Sequence, residues 1–249
     1  MSAARISKSK CAVKFAPDAQ SESTSEMLFG ESIVVLDHCA EWSQIRAVND
    51  GYEGFIETSA FEITETTATH WVCTKATFVF EKPDIKGTVT RRLLFGSELT
   101  VDATNVDGKF VQLAGGGFVW ETHCLQKNSV LQSTMVETAQ SNYQHTPYLW
   151  GGRSSDGCDC SGLVQMLAMA TGVSLPRDSV DQEKTLTENI EFQNRTAEDL
   201  VFWAGHVGVL MSPDLLLHST AHSMRCCVEP LQDVIQRAGS PVSIKRIGR

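Results

Sequence analysis

No run of about 18 or more apolar residues, the length needed to cross a bilayer, occurs in the 249-residue chain, so no transmembrane helix is expected. The first thirty residues carry Arg5, Lys8 and Lys10 but lack the apolar stretch of an export leader. A cytoplasmic location is therefore the expectation. Positive charge is also scarce. Lys+Arg number 21 against 30 Asp+Glu, a formal net charge of −9, which argues against nucleic acid and anionic membrane surfaces as partners. Cys-x2-Cys spacing is absent. The eight cysteines (Cys11, Cys39, Cys73, Cys124, Cys158, Cys160, Cys226 and Cys227) are scattered, and two pairs are too close in sequence to bridge easily, so reduced thiols are expected. Zinc on Cys158, Cys160, His206 and His218 would use a Cys-x-Cys pair of the wrong spacing; no metal and no cofactor are expected.

What the chain does have is concentrated in one stretch. Pro147-Tyr148-Leu149-Trp150-Gly151-Gly152 and Asp156-Gly157-Cys158-Asp159-Cys160-Ser161-Gly162 lead into an apolar run. Leu163, Val164, Leu167 and Ala170 recur at helical spacing, and Gly172 falls where a C-terminal cap is expected. Asp159 is a good N-cap, which puts Cys160 in the first turn. There the free backbone N–H groups and the helix dipole favour the thiolate, the nucleophilic form. Downstream, His206–Met211 and Leu215–His218 read as strands joined by Ser212-Pro213-Asp214. With Met211 opposite Leu215, Gly208 lies opposite His218, and His206 and His218 are diagonal neighbours on one face. A helix-start cysteine with two imidazoles on one sheet face is a nucleophile, base and orienter arrangement: Cys160, His206 and His218. His222 is an alternative orienter, and His38, His70, His123 and His145 have no partner pattern.

These residues carry a resemblance. Residues 143–230 resemble the NlpC/p60 family of papain-like cell-wall cysteine peptidases through Tyr148-x-Trp150-Gly151-Gly152, Asp159-Cys160-Ser161-Gly162, Leu175-Pro176-Arg177-Asp178-Ser179, Asp199-Leu200-Val201-Phe202, His206-Val207-Gly208-Val209 and Leu217-His218. The motifs stand in the family's order, with Cys160 and His206 separated by 46 residues and His206 and His218 by 12.

The first half has a different texture. Short β-branched runs at 31–36, 42–48 and 52–56, with Asn49-Asp50-Gly51 as a turn, are echoed by runs at 97–101, 109–113 and 115–120. Ala12-Val13-Lys14-Phe15 is echoed by Ala76-Thr77-Phe78-Val79-Phe80, and Leu28-Phe29-Gly30 returns as Leu94-Phe95-Gly96. The offset of roughly 63 to 67 residues is a domain length rather than a solenoid period. Two small β-barrels are inferred, at 8–66 and 70–127, resembling bacterial SH3-like domains through Asp50-Gly51-Tyr52-x-Gly54-Phe55-Ile56. Residues 128–142 read as a linker with helical tilt, and 143–249 as the papain-like domain. The expected fold class is α+β: helices packed on a central antiparallel sheet, preceded by the two barrels.

The resemblance implies a cysteine endopeptidase, acting as a monomer, that cuts the γ-D-glutamyl–diamino acid bond of murein stem peptides with a free N-terminal L-Ala, in peptide recycling. It implies oxyanion support from Tyr148, and substrate contacts from Tyr52, Asp159, Ser161 and Arg177. Tyr52 could equally pack at its turn, and Arg177 could form a structural ion pair with Asp178 or Asp181 instead of receiving a substrate carboxylate. An amidase or acyltransferase using the same residues, and a non-catalytic peptidoglycan-binding protein, are the alternatives.

Overall fold

The computed structural model describes residues 2–248, which divide into two compact units, 1–130 and 131–249. The described residues are strand-rich, with four α-helices.

The first unit holds two strand groups, each with its own core. Residues up to 63 form a seven-stranded antiparallel sheet in the order Ser23–Leu28, Lys10–Lys14, Glu53–Glu57, Trp42–Ala47, Ser32–Cys39, Ser2–Ile6, Phe61–Ile63. Its first strand, Ser2–Ile6, pairs with both Ser32–Cys39 and Phe61–Ile63, so the sheet begins before the expected start at residue 8. Alternation decides the inner face: Ser43, Ile45 and Ala47 are buried along one strand, Gly54 and Ile56 along the next. Val13, Ile33, Val35, Ile45 and Ile56 make the centre of that core. Residues 70–126 form a five-stranded and a three-stranded sheet around Val72, Val79, Leu93, Leu99, Val111 and Val119.

The two Leu-Phe-Gly repeats form the same turn. Gly30 and Gly96 both take positive φ (77° and 87°). The N–H groups of Glu31 and Ser97 bond back to the carbonyls of Leu28 and Leu94. Glu31 and Ser97 return their side chains to the N–H groups of Leu28 and Leu94. Gly30 N–H reaches the Ile6 carbonyl and Gly96 N–H the Val72 carbonyl. The two groups are joined within the unit by Arg5, which donates to the Gly30 carbonyl (2.7 Å) and the Thr100 hydroxyl (2.6 Å), and by Glu98 N–H on the Phe29 carbonyl (2.7 Å).

The second unit is built on a six-stranded antiparallel sheet: Glu188–Asn189, Ser243–Arg246, Leu200–Trp203, His206–Ser212, Leu215–Thr220, Arg225–Pro230. Helix α1 (Met135–Asn142) opens the unit. It has a capping box between Thr134 and Glu137, and the Glu198 carboxylate accepts from the free N–H groups of Met135 and Val136. Of the residues 128–142 expected as a linker with helical tilt, 131–142 belong to the second unit, with Met135, Val136 and Ala139 buried. Helix α2 (Cys160–Ala170) is buried along almost its whole length and packs on α1 and on the strands 206–212 and 215–220. It ends where the sequence puts the end, with Gly172 at φ 89°. Helix α3 (Ser179–Thr185) follows, and α4 (Leu231–Ala238) inserts Leu231 and Val234 against Val201, Leu210, Leu216 and Ile244. Asp199, fully buried, ties the sheet together by accepting from the guanidinium of Arg246 at 2.7 and 2.8 Å.

Candidate active site

The local chemistry of the stretch 147–162 sets the position of Cys160. Asp159 is the N-cap of α2 and accepts from Gly162 N–H at 2.7 Å. Gly162 has to be glycine, because a Cβ there would fall 2.2 Å from the Gly152 carbonyl oxygen. The loop Gly151-Gly152 is thereby pressed onto the helix start, with Gly151 N–H on Asp159 Oδ2 at 2.9 Å.

Arg177 completes this cluster. Its two terminal nitrogens donate to both Asp159 oxygens (3.1 and 2.6 Å), to Ser161 Oγ (2.9 Å) and to the Gly152 carbonyl (3.4 Å). Arg177 is 2% exposed. The ion pair that the sequence offered to Asp178 or Asp181 is made with Asp159, 18 positions away. The guanidinium is therefore turned inward onto the N-cap, not held open for a ligand carboxylate. Ser161 lies in the same cluster, buried, with its hydroxyl 3.3 Å from Asp159 Oδ1.

The histidines come from a hairpin. Ala204-Gly205 is a two-residue turn with Gly205 at φ 74°, and it makes His206 the first residue of its strand. The pairs Val209↔Leu217 and Leu210↔Leu216 continue to Gly208 opposite His218, as the period-2 pattern requires. Closer to the turn the pairing differs: Leu215 pairs with Ser212 rather than Met211, because an irregularity falls between Leu210 and Ser212. Gly208 leaves room beside His218 and Leu216; a Cβ on it would sit 3.0 Å from that of His218 and 2.9 Å from the Leu216 side chain. His206 Nε2 and His218 Nδ1 meet at 2.8 Å. His222 is exposed in the turn beyond the strand, its N–H on Thr220 Oγ1.

Cys160 Sγ stands 4.0 Å from the Gly205 carbonyl and close to the N–H groups of Val207 and Ser161, against the residues on either side of His206. Burial, and then the Asp159 charge, push the thiol up to about 11, against the pull of those N–H groups. The helix start alone favours a thiolate; in the folded unit desolvation wins, and the resting group is a thiol. His206 is pushed down to about 4, by burial first and by His218 second. Both partners are therefore neutral near pH 7. Tyr148, half-buried, is raised to about 12 by burial and by neighbouring Cys160 and Asp159, which keeps its hydroxyl a proton donor.

The partner behind His218 has no sequence signal. His218 Nε2 is 2.7 Å from Glu229 Oε2, and Arg237 of α4 holds Glu229 at 2.9 Å. Cys158 is fully buried, its carbonyl accepting from Ser219 Oγ at 2.6 Å. All eight cysteines are free thiols. His218, Cys227 and Glu229 could bring one ligand atom each toward a common point, but two of the three are already spent on the ring contact and on Arg237. Tyr52 belongs to the first unit, where its N–H closes an Asx turn on Asp50 and its ring packs partly on the core.

Comparison with known proteins agrees with this geometry. Residues 145–238 match the NlpC/P60 family, and residues 15–61 match the bacterial dipeptidyl-peptidase Sh3 domain. One SH3 domain is found in this way, where the sequence reading has two. The chain is 30% identical to dipeptidyl-peptidase 6 of Lysinibacillus sphaericus, over 93% of each chain. It is 29% identical to the γ-D-glutamyl-L-lysine dipeptidyl-peptidase of Bacillus subtilis (strain 168), over 78% of this chain and 71% of that one. The crystal structure of an NlpC/P60 family protein from Bacillus cereus ATCC 10987 superposes with a TM-score of 0.84 at 17% identity, covering 98% of this chain and 99% of that one. A buried helix-start cysteine beside a paired-histidine hairpin, and a relative 30% identical over 93% of its length, lead to one conclusion: the chain belongs to the NlpC/P60 family and carries a bacterial dipeptidyl-peptidase SH3 domain ahead of its NlpC/P60 unit.

Proposed function

We propose that the protein is a cell-wall cysteine peptidase that hydrolyses the γ-D-glutamyl–diamino acid bond of murein stem peptides and releases L-Ala-γ-D-Glu from a free amino terminus. The observation that carries this reading is the 2.8 Å contact of His206 Nε2 with His218 Nδ1 beside the Cys160 helix start. It leaves His206 Nδ1 as the nitrogen available to the thiol. The names of the relatives, a dipeptidyl-peptidase and a γ-D-glutamyl-L-lysine dipeptidyl-peptidase, supply the substrate class.

The steps follow from the protonation states. Thiol and imidazole start neutral, and the thiol proton passes to His206 Nδ1 as sulfur attacks the γ-glutamyl carbonyl. His218 accepts from His206 Nε2–H and steadies the imidazolium. The oxyanion is met by N–H groups of the α2 start and by the Tyr148 hydroxyl, which remains protonated. His206 then protonates the leaving amine, and water hydrolyses the thioester. Asp159 and Ser161 border the nucleophile in sequence and are the groups proposed to face the terminal amine. Arg177 fixes that carboxylate from behind. The residues 70–126 are proposed as a second SH3-like body, on the strength of the duplicated Leu-Phe-Gly turn.

Mass spectrometry of L-Ala-γ-D-Glu-diaminopimelate, its L-lysine analogue and their N-acetylated forms tests this, with Cys160→Ala as control. Release of L-Ala-γ-D-Glu from the free peptides only, lost in the variant, supports bond, nucleophile and amine recognition together. Equal cleavage of the acetylated forms would sink the free-amine requirement. No cleavage of any would move the protein to acyl transfer or to binding.

A further inference from the structure

Two histidines in contact do not by themselves make a directed base. Each ring has two nitrogens, and a neutral imidazole can carry its proton on either. With one proton shared between His206 Nε2 and His218 Nδ1, two arrangements satisfy the 2.8 Å contact. In one, His206 Nε2–H donates and His206 Nδ1 is bare. In the other, His218 Nδ1–H donates, His206 carries its proton on Nδ1, and the thiol proton has nowhere to go. Something has to choose.

Glu229 makes the choice in geometry. His218 pairs with Cys227 across the strands 215–220 and 225–230, and Glu229 lies two residues on, paired with Leu216, on the same face. Its Oε2 is 2.7 Å from His218 Nε2, and His218 is 1% exposed, so no water competes for that nitrogen. The partner has to be acceptor-only to decide the matter. Arg237 ensures this: it donates to both Glu229 oxygens, at 3.3 and 2.9 Å, from the last turn of α4. Burial alone would raise Glu229, but the hydrogen bonds from Arg237 and His218 hold it below the usual carboxylate range.

We propose that Glu229, clamped by Arg237, is a positioning residue that fixes His218 as the Nε2–H tautomer, and through it leaves Nδ1 of His206 bare to take the Cys160 proton. The inference rests on the proposed roles of Cys160 and His206. The proton order is Glu229 carboxylate, H–Nε2 of His218, Nδ1 of His218, H–Nε2 of His206, Nδ1 of His206, thiol. When the thiol proton arrives, His206 becomes an imidazolium donating from both nitrogens, with the carboxylate's negative charge behind it. The other titratable groups around the string are Arg237 of α4, His222 beyond the strand, and Cys227 opposite His218. Arg237 opposes a protonated ring and Glu229 favours it.

Two readouts that need no substrate test this on the full chain. Nitrogen-15 spectra of histidine-labelled protein report which ring nitrogen is protonated, and peptide-level mass spectrometry reports the rate of Cys160 alkylation by iodoacetamide. Wild type is expected to show Nε2–H on both rings. Glu229→Ala is expected to give mixed or reversed tautomers, a slowing of Cys160 alkylation of about tenfold or more at pH 7, and ring titrations displaced to lower pH. Glu229→Gln, of the same size and able to accept through one oxygen, should fall between the two and carries the test if the alanine variant does not fold. Arg237→Ala should act in the same direction, more weakly. Wild-type tautomers and alkylation rate in the folded glutamine and alanine variants would overturn the proposal. Failure of the wild type to cut any murein peptide would instead overturn the proposed substrate, leaving both readouts intact.

Discussion

The second unit contains two buried polar networks, and they are wired in opposite ways. At the α2 start, Asp159 and Arg177 form a closed pair: five donors converge on one carboxylate, from Gly151, Gly162, Ser161 and twice from Arg177. Every charge is met inside the cluster. Across the sheet, the string from Arg237 through Glu229 and His218 to His206 is closed at one end only. It begins in a fixed ion pair and ends in a half-buried imidazole at a strand start beside Cys160. The first network holds Asp159 and Ser161 rigidly in place beside Cys160. The second can take up a proton, since its string of ring nitrogens ends at His206 rather than in a second ion pair. Burial is thus compatible with function where the network has an open end.

The comparison can be broken in several places. The largest effect is expected from Cys160→Ala or His206→Ala, which should each lower kcat at least about 10³-fold with the fold intact, measured by peptide turnover and circular dichroism. Residual activity of more than a few per cent in Cys160→Ala would mean that the open network serves another nucleophile. Next comes Arg177→Met in the closed network. It strands a buried carboxylate and should destabilise the second unit by about 3–5 kcal/mol in urea titration. A loss under about 1 kcal/mol would show that the cluster is wetter than its burial implies. Tyr148→Phe should lower kcat by about tenfold to a hundredfold with KM little changed, because a donor to the oxyanion acts only in the transition state. A change confined to KM would make Tyr148 a binding residue.

The smallest effect concerns pH. His206 titrates near 4 when folded, against an ordinary histidine when unfolded. Between those values the unfolded chain binds more protons, so stability should fall as pH drops from about 6.5 towards 4. His206→Gln should flatten that part of the curve, read from thermal midpoints across pH. An unchanged slope would place the titration elsewhere.

Much of this was legible because it is local. Asp159 as N-cap, the apolar spacing of α2 and Gly172 at its end depend on residues within a few positions of one another. The pairing of Gly208 with His218 follows from a period of two, which survived the irregularity near Met211 because that lies on the turn side of it. Within the first unit, the repeated Leu-Phe-Gly marked the same turn twice. Arg177 was misassigned for the converse reason. Its nearest acids in sequence are Asp178 and Asp181, yet chain direction turns it to Asp159. The upward push on the thiol was not legible because a helix start is a local feature and desolvation is not.

The sequence by itself determined the helix that starts at Cys160 and the hairpin that pairs His206 with His218, since short-range periodicity and capping encode these, while its motifs carried the resemblance to the family. Only the tertiary structure decided that Arg177 belongs to the N-cap, that Cys160 rests as a thiol, and that Glu229 and Arg237 stand behind His218. Those outcomes depend on which charges share a water-free interior, and that is set by how α2, α4 and the sheet close on one another rather than by any spacing along the chain.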